Sequence, residues 1–163
     1  MKILRLALIS SVLLPATAFA NPTGLTWHTY GHDSTYGVDT VGCDGDGDYC
    51  NAYTGDTSCT FRRPILCINV DGSNNPGVAT TAFYFEWAYA NIATTHPIRG
   101  SALTSRAVAD EICAGIHGSG WRMAEHHDGA MGAGGWAFLA FGHVRDDVDL
   151  WVAIDDQPAN CWD

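Results

Sequence analysis

The stretch Thr104-Ser-Arg-Ala-Val-Ala-Asp-Glu-Ile-Cys-Ala-Gly-Ile116 decides the fold class, because it is the segment that carries a clear helical apolar period. Val108, Ile112, Cys113 and Ile116 fall on one face of a helix, and Asp110 and Glu111 face water. Thr104 or Ser105 supplies the N-cap oxygen, and Gly115, Gly118 and Gly120 supply stop signals. Cys113 therefore points into the core, where a disulfide to a strand would pin the helix.

Around this helix the chain reads as strand and loop. Leu25 to Tyr30, Pro64 to Val70, the aromatic-rich Ala79 to Tyr89, Trp121 to Glu125, Trp136 to Val144 and Leu150 to Ile154 are short β-type or extended segments. Asp71-Gly72 and the acidic run Arg145 to Asp149 are turn signals between them. Gly129 to Gly135 lacks the Gly-Lys-Ser/Thr ending of a phosphate loop and reads as a surface loop. Residues 21–60 are rich in Gly, Thr, Asp and Tyr and read as loops with short strands. The predicted class is α+β: an antiparallel sheet, one main packed helix, long loops and disulfides.

The first 20 residues read as a secretory signal. Lys2 and Arg5 precede the apolar run Leu6 to Leu14, and Ala18-Phe19-Ala20 is a cleavage site. The remaining residues 21–163, roughly 140 in number, suit one domain, and no later apolar run approaches a membrane span. The predicted product is secreted or periplasmic, without membrane insertion. Its six cysteines, Cys43, Cys50, Cys59, Cys67, Cys113 and Cys161, read as three disulfides in an oxidising compartment, with pairings that spacing alone does not choose.

The whole chain sets 18 acidic against 8 basic side chains, a formal net charge of −10 that becomes more negative when Lys2 and Arg5 leave. That balance excludes nucleic acid and anionic membrane as favoured partners and suits cations. Among the acids only Glu86, Glu111 and Glu125 are glutamates, a bias toward turns and loops. Three of the acids alternate with glycine in Cys43-Asp-Gly-Asp-Gly-Asp-Tyr-Cys50. Alternate side chains of an extended segment share a face, so Asp44, Asp46 and Asp48 can converge on calcium, with Asn51 or Asp56 adding oxygens. It is not an EF-hand, since the sixth position is Tyr49 and the twelfth Gly55. The alternative is a solvated acidic turn. Pairing Cys43 with Cys50 would tighten the loop, and pairing either with Cys59 or Cys67 would leave it open.

Two later segments, Ser105 to Cys113 followed by Gly120-Trp-Arg-Met-Ala-Glu125, and Leu150-Trp-Val-Ala-Ile-Asp155, resemble the C-type lectin-like pattern of a helix ending in cysteine, a glycine turn and a Trp-containing strand. The first is also similar to the Gly-Trp-Arg-Leu-Pro element of bacterial secreted domains. The resemblance covers about residues 101–163 and implies a C-type lectin-like fold with a disulfide between Cys113 and Cys161. Asp156-Gln-Pro-Ala-Asn-Cys-Trp-Asp163 is similar to that family's calcium-dependent sugar loop, although Ala159 removes an expected oxygen ligand. On this resemblance Trp151, Gln157, Asn160 and Trp162 are candidates to meet a ligand.

Catalytic signatures are weak. Adjacent His126 and His127 project in different directions on a strand, but Glu125, His127 and Asp128 could contribute to a metal or acid–base site with distant His28, His32, His96 or His143; the spacing matches no zinc motif, and there is no G-x-S-x-G nucleophile. The sequence therefore predicts binding rather than catalysis. Its concrete form is calcium-assisted recognition of glycans or a cell-surface protein. The alternatives are a metal-free interaction or assembly module, in which self-association remains open, and a small metal-dependent hydrolase centred on His126, His127 and Asp128.

Overall fold

The computed structural model describes residues 22–43, 50–81, 85–129 and 135–163. Residues 1–21, which include the segment expected to be a signal, Asp44, Asp46, Asp48, Phe83, Tyr84 and the interior of the Gly129–Gly135 loop lie outside the described residues. The strands are β1 (Thr23–Gly24), β2 (Thr26–Asp33), β3 (Val38–Gly42), β4 (Thr57–Ser58), β5 (Arg62–Arg63), β6 (Leu66–Val70), β7 (Glu86–Thr94), β8 (Ile98–Arg99), β9 (Arg122–Met123), β10 (Ala137–Phe141) and β11 (Leu150–Trp151), with helix α1 (Arg106–His117) between β8 and β9. The class is α+β. Among the described residues no helix is long and apolar enough to cross a membrane.

The main sheet has seven strands in the order β11-β2-β3-β10-β7-β6-β9. It is mixed rather than antiparallel throughout, because β10 runs parallel to β7. Its two edges approach each other. Ile65 bridges Trp151 and Glu125 bridges Ala153, secured by Trp151 N–H to Pro64 O at 2.8 Å and His126 N–H to Ala153 O at 2.9 Å. The sheet therefore curls, and edge groups that would otherwise be unpaired find partners. Inside the curl lie Leu25, Trp27, Val41, Leu66, Ile68, Ala90, Ile92, Phe138, Ala140, Leu150 and Val152.

The N-terminal region is more ordered than its composition predicts: β2 and β3 form a hairpin in the body of the sheet rather than a loop-rich margin. Trp27 and Val41 carry it into the core, and Thr29 and Asp39 are buried on the same face. The aromatic-rich strand is also displaced. It runs from Glu86 to Thr94 instead of ending at Tyr89, which has φ 53 where the register between β7 and β10 shifts. Ala88, Ala90 and Ile92 are small or branched enough to fill the interior, and Tyr89 is turned outward.

Ser105 caps α1, its Oγ accepting the Val108 N–H at 3.2 Å. The buried face is Ala109 and Cys113 with Ile112 beside them, whereas Ile116 is 51% exposed. Small residues let the helix approach the strands closely. Asp110 does not simply face water: its Oδ1 accepts from Arg106 Nε at 3.0 Å and from the Met123 N–H at 2.9 Å, tying α1 to β9.

Three disulfides are formed: Cys43–Cys50, Cys59–Cys161 and Cys67–Cys113. The Cys113–Cys161 bond implied by the lectin-like resemblance is replaced by two others. Leu66 and Ile68 point into the curl, so Cys67 between them points to the opposite face, where α1 lies. Cys161 is carried instead to the turn holding Cys59, against Trp151 and the backbones of Gly24 and Gly100.

Candidate functional site

The acidic loop is closed at its base by the Cys43–Cys50 bond, with Asp44, Asp46 and Asp48 outside the described residues. Its two flanking oxygen donors are engaged within the protein. The Asp56 carboxylate accepts from the Thr26 N–H, Thr26 Oγ1, Thr57 Oγ1 and the Asn51 N–H. Asn51 Oδ1 accepts the Tyr53 and Thr54 N–H groups. Asp56 lines a small polar hollow of about 300 Å³ with Thr26, His28 and Asp149 beside the disulfide.

The C-terminal ligand candidates divide by burial. Trp151 is 1% exposed, and its Nε1 donates to Ile98 O at 3.0 Å. Asn160 is also buried: its Oδ1 accepts the Ile154 N–H at 3.0 Å, and its Nδ2 donates to Ile154 O and to Asp163. These two side chains hold the C-terminal segment against the sheet edge. Gln157 and Trp162 are half-buried.

The Glu125–Asp128 cluster is a knot of internal bonds. Both Asp128 oxygens receive Arg122, and Oδ2 also accepts the Glu125 N–H at 2.6 Å. Burial of the Arg122 guanidinium opposes its charge, but Asp128, supported by Asp110 and Glu125, outweighs it and holds the group above its ordinary value. Glu125 accepts from the His127 N–H and Nδ1 and from the Asp155 N–H. His126 is 3% exposed among Trp27, Trp136 and His127. Burial, then the charge of His127, lowers its pKa to about 4, so it is a neutral packing ring at physiological pH.

An open cleft of about 600 Å³ lies beside the β2–β3 hairpin, lined by Tyr30, His32, Asp33, Ser34, Thr40 and Phe85 among others. Val38, Trp87 and Leu139 pack together as a small apolar cluster on this side of the sheet, and Leu139 reaches the cleft. Tyr30 and Phe85 meet edge to face with ring centroids 6.1 Å apart. At the rim, His32 and Asp39 stand opposite each other across the hairpin. His32 Nδ1 is 2.6 Å from Asp39 Oδ1, and the other oxygen of this fully buried carboxylate accepts the Val144 N–H at 2.6 Å. His143 Nδ1 approaches His32 Nε2 at 3.2 Å.

Sequence reading included His32 and His143 only as distant partners of His127 and missed Asp39 and the cleft. The available signal was the turn Asp33-Ser-Thr-Tyr-Gly37, whose Gly37 has φ 65 and donates to Asp33 O. Read as a hairpin, it would have put His32 opposite Asp39. Among the described residues no three His, Cys, Asp or Glu groups are arranged to hold a metal ion.

No protein-family model, no characterised protein and no solved structure matches this chain.

Proposed function

We propose that this chain is an exported binding protein whose ligand occupies the cleft beside the β2–β3 hairpin, with a hydroxyl-rich ligand such as a glycan of cell-surface material as its target. The observation that carries the reading is the lining: aromatic edges from Tyr30 and Phe85 next to the polar groups of Asp33, Ser34 and Thr40. Rings offer an apolar surface to the C–H face of a sugar, and a few polar side chains can orient its hydroxyls. The signal segment and three disulfides support an oxidising extracellular or periplasmic setting. A lectin-like relationship belongs to the same proposal, as does calcium at Asp44, Asp46 and Asp48 within the loop closed by Cys43–Cys50.

A glycan array run on the processed chain, in calcium and in chelator, tests the ligand class. Binding that is lost on Phe85→Ala and on Thr40→Ala, with an unchanged melting curve, supports the cleft. A blank array in both conditions, or binding indifferent to both substitutions, overturns it in favour of a metal-free interaction module. For the metal, millimolar calcium raises the melting temperature of the parent and not of Asp46→Ala; equal curves for the two proteins refute the calcium part alone.

A further inference from the structure

We propose that His32 and His143 form a binding site for a divalent first-row transition ion, with Asp39 as the residue that positions His32. The site is distinct from the acidic loop in position and chemistry: imidazole nitrogens suit copper, zinc or nickel, whereas carboxylates suit calcium. It does not depend on a glycan occupying the cleft.

Three observations converge. His32 Nδ1 is hydrogen-bonded at 2.6 Å to Asp39 Oδ1. An ionised Asp39 carboxylate can only accept, an arrangement that places the ring proton on Nδ1 and leaves the Nε2 lone pair for a ligand bond. This carboxylate–imidazole arrangement is the one that orients histidine ligands and raises their basicity. The Asp39 carboxylate is itself fixed, because its second oxygen accepts the Val144 N–H at 2.6 Å.

Second, the spacing fits. With metal–nitrogen bonds of about 2.0–2.1 Å, two ligands at a tetrahedral angle lie about 3.3 Å apart, and at a right angle about 2.9 Å. His143 Nδ1 and His32 Nε2 are 3.2 Å apart. The rings stand at 88° with centroids 4.4 Å apart, so neither covers the other's nitrogen edge. Third, the pair is accessible. His143 is exposed and His32 lines the open cleft, which leaves room for water or a ligand atom to complete the coordination. The strongly acidic chain also favours cation approach.

The same spacing suits a hydrogen bond between two neutral imidazoles, and the test must separate the two. The processed, oxidised chain is titrated calorimetrically with copper(II) and with zinc(II) alone, alongside His32→Gln, His143→Gln, the double variant and a His96→Gln control. One saturable site that takes copper more tightly than zinc is expected. Each single variant weakens it at least tenfold, the double variant removes it, and His96→Gln leaves it unchanged. His143 is exposed, so its substitution leaves folding intact, which circular dichroism verifies. Asp39→Asn weakens binding about 10–100-fold if folded, the loss associated with removing a positioning partner. Copper electron paramagnetic resonance of the parent then carries the hyperfine pattern of two imidazole nitrogens. Binding by the double variant equal to that of the parent, or no saturable site in the parent, overturns the proposal and leaves the histidines as a hydrogen-bonded pair.

Discussion

His126 provides a quantitative handle on the core. The ring is packed among Trp27, Trp136 and His127, and its Nδ1 has no hydrogen-bond partner among the described residues. Burial holds its pKa at about 4 against an ordinary 6.5. Between those values the unfolded chain takes up a proton that the folded chain does not, so acid favours unfolding. The contribution is fully present above about pH 6.5, falls as the pH drops, and is lost below about pH 4. The difference corresponds to about 3 kcal/mol. Urea unfolding of the oxidised chain near neutral pH and near pH 4 measures it against His126→Phe, a ring that fills the site and does not titrate. Carboxylates add their own pH dependence to both proteins, and the comparison cancels it. The parent should lose about 3 kcal/mol more than the variant on acidification. Equal acid sensitivity, or a His126 ring that titrates by NMR near 6.5, would refute the reasoning.

The disulfides should contribute unequally, because Cys59–Cys161 spans 102 residues and Cys43–Cys50 spans 7. Replacing the long-range pair by serine should cost about 5 kcal/mol in chemical denaturation and the short-range pair about half as much; equal losses would contradict loop entropy as the cause. A Cβ on Gly100 would lie 2.7 Å from Cys161 Sγ and 2.8 Å from the Trp151 ring. Gly100→Ala should therefore destabilise by about 1–3 kcal/mol, and an unchanged melting temperature would show that the contact relaxes freely. Asn160→Ala removes bonds to both the N–H and C=O of buried Ile154. A stability loss of about 2–3 kcal/mol is expected; unchanged stability with lost ligand binding would restore Asn160 to a recognition role.

Legibility in the sequence followed the range of the interactions. The helix near Thr104–Ile116 was readable because its capping hydroxyl and apolar period lie within one segment, and Ser105 does cap it. The face was misread at Ile116 because the decisive contact comes from β6 and β9, far along the chain. Strands at Leu25, Pro64, Trp136 and Leu150 were located to within a few residues, since alternation and turn residues are local. The hairpin joining β2 to β3 was overlooked because Gly, Thr and Asp dominate its composition.

The candidate site was less legible still. The lectin-like resemblance put Trp151 and Asn160 forward as recognition residues, and tertiary packing buries both. Asp39 looked like one acid among many, and pairing across the hairpin sets it against His32.

The sequence by itself determined the α+β class, the capped helix, the strongly acidic balance and a cysteine set able to form three disulfides, because composition and short-range periodicity encode them. Only the tertiary structure decided the parallel β7–β10 contact, the meeting of the sheet edges, the Cys59–Cys161 and Cys67–Cys113 pairings, and the approach of His143 to His32 across 111 residues of chain. Those features depend on which distant backbones share the core, and the free energy selecting among them is gained only when the sheet curls and its apolar face leaves water.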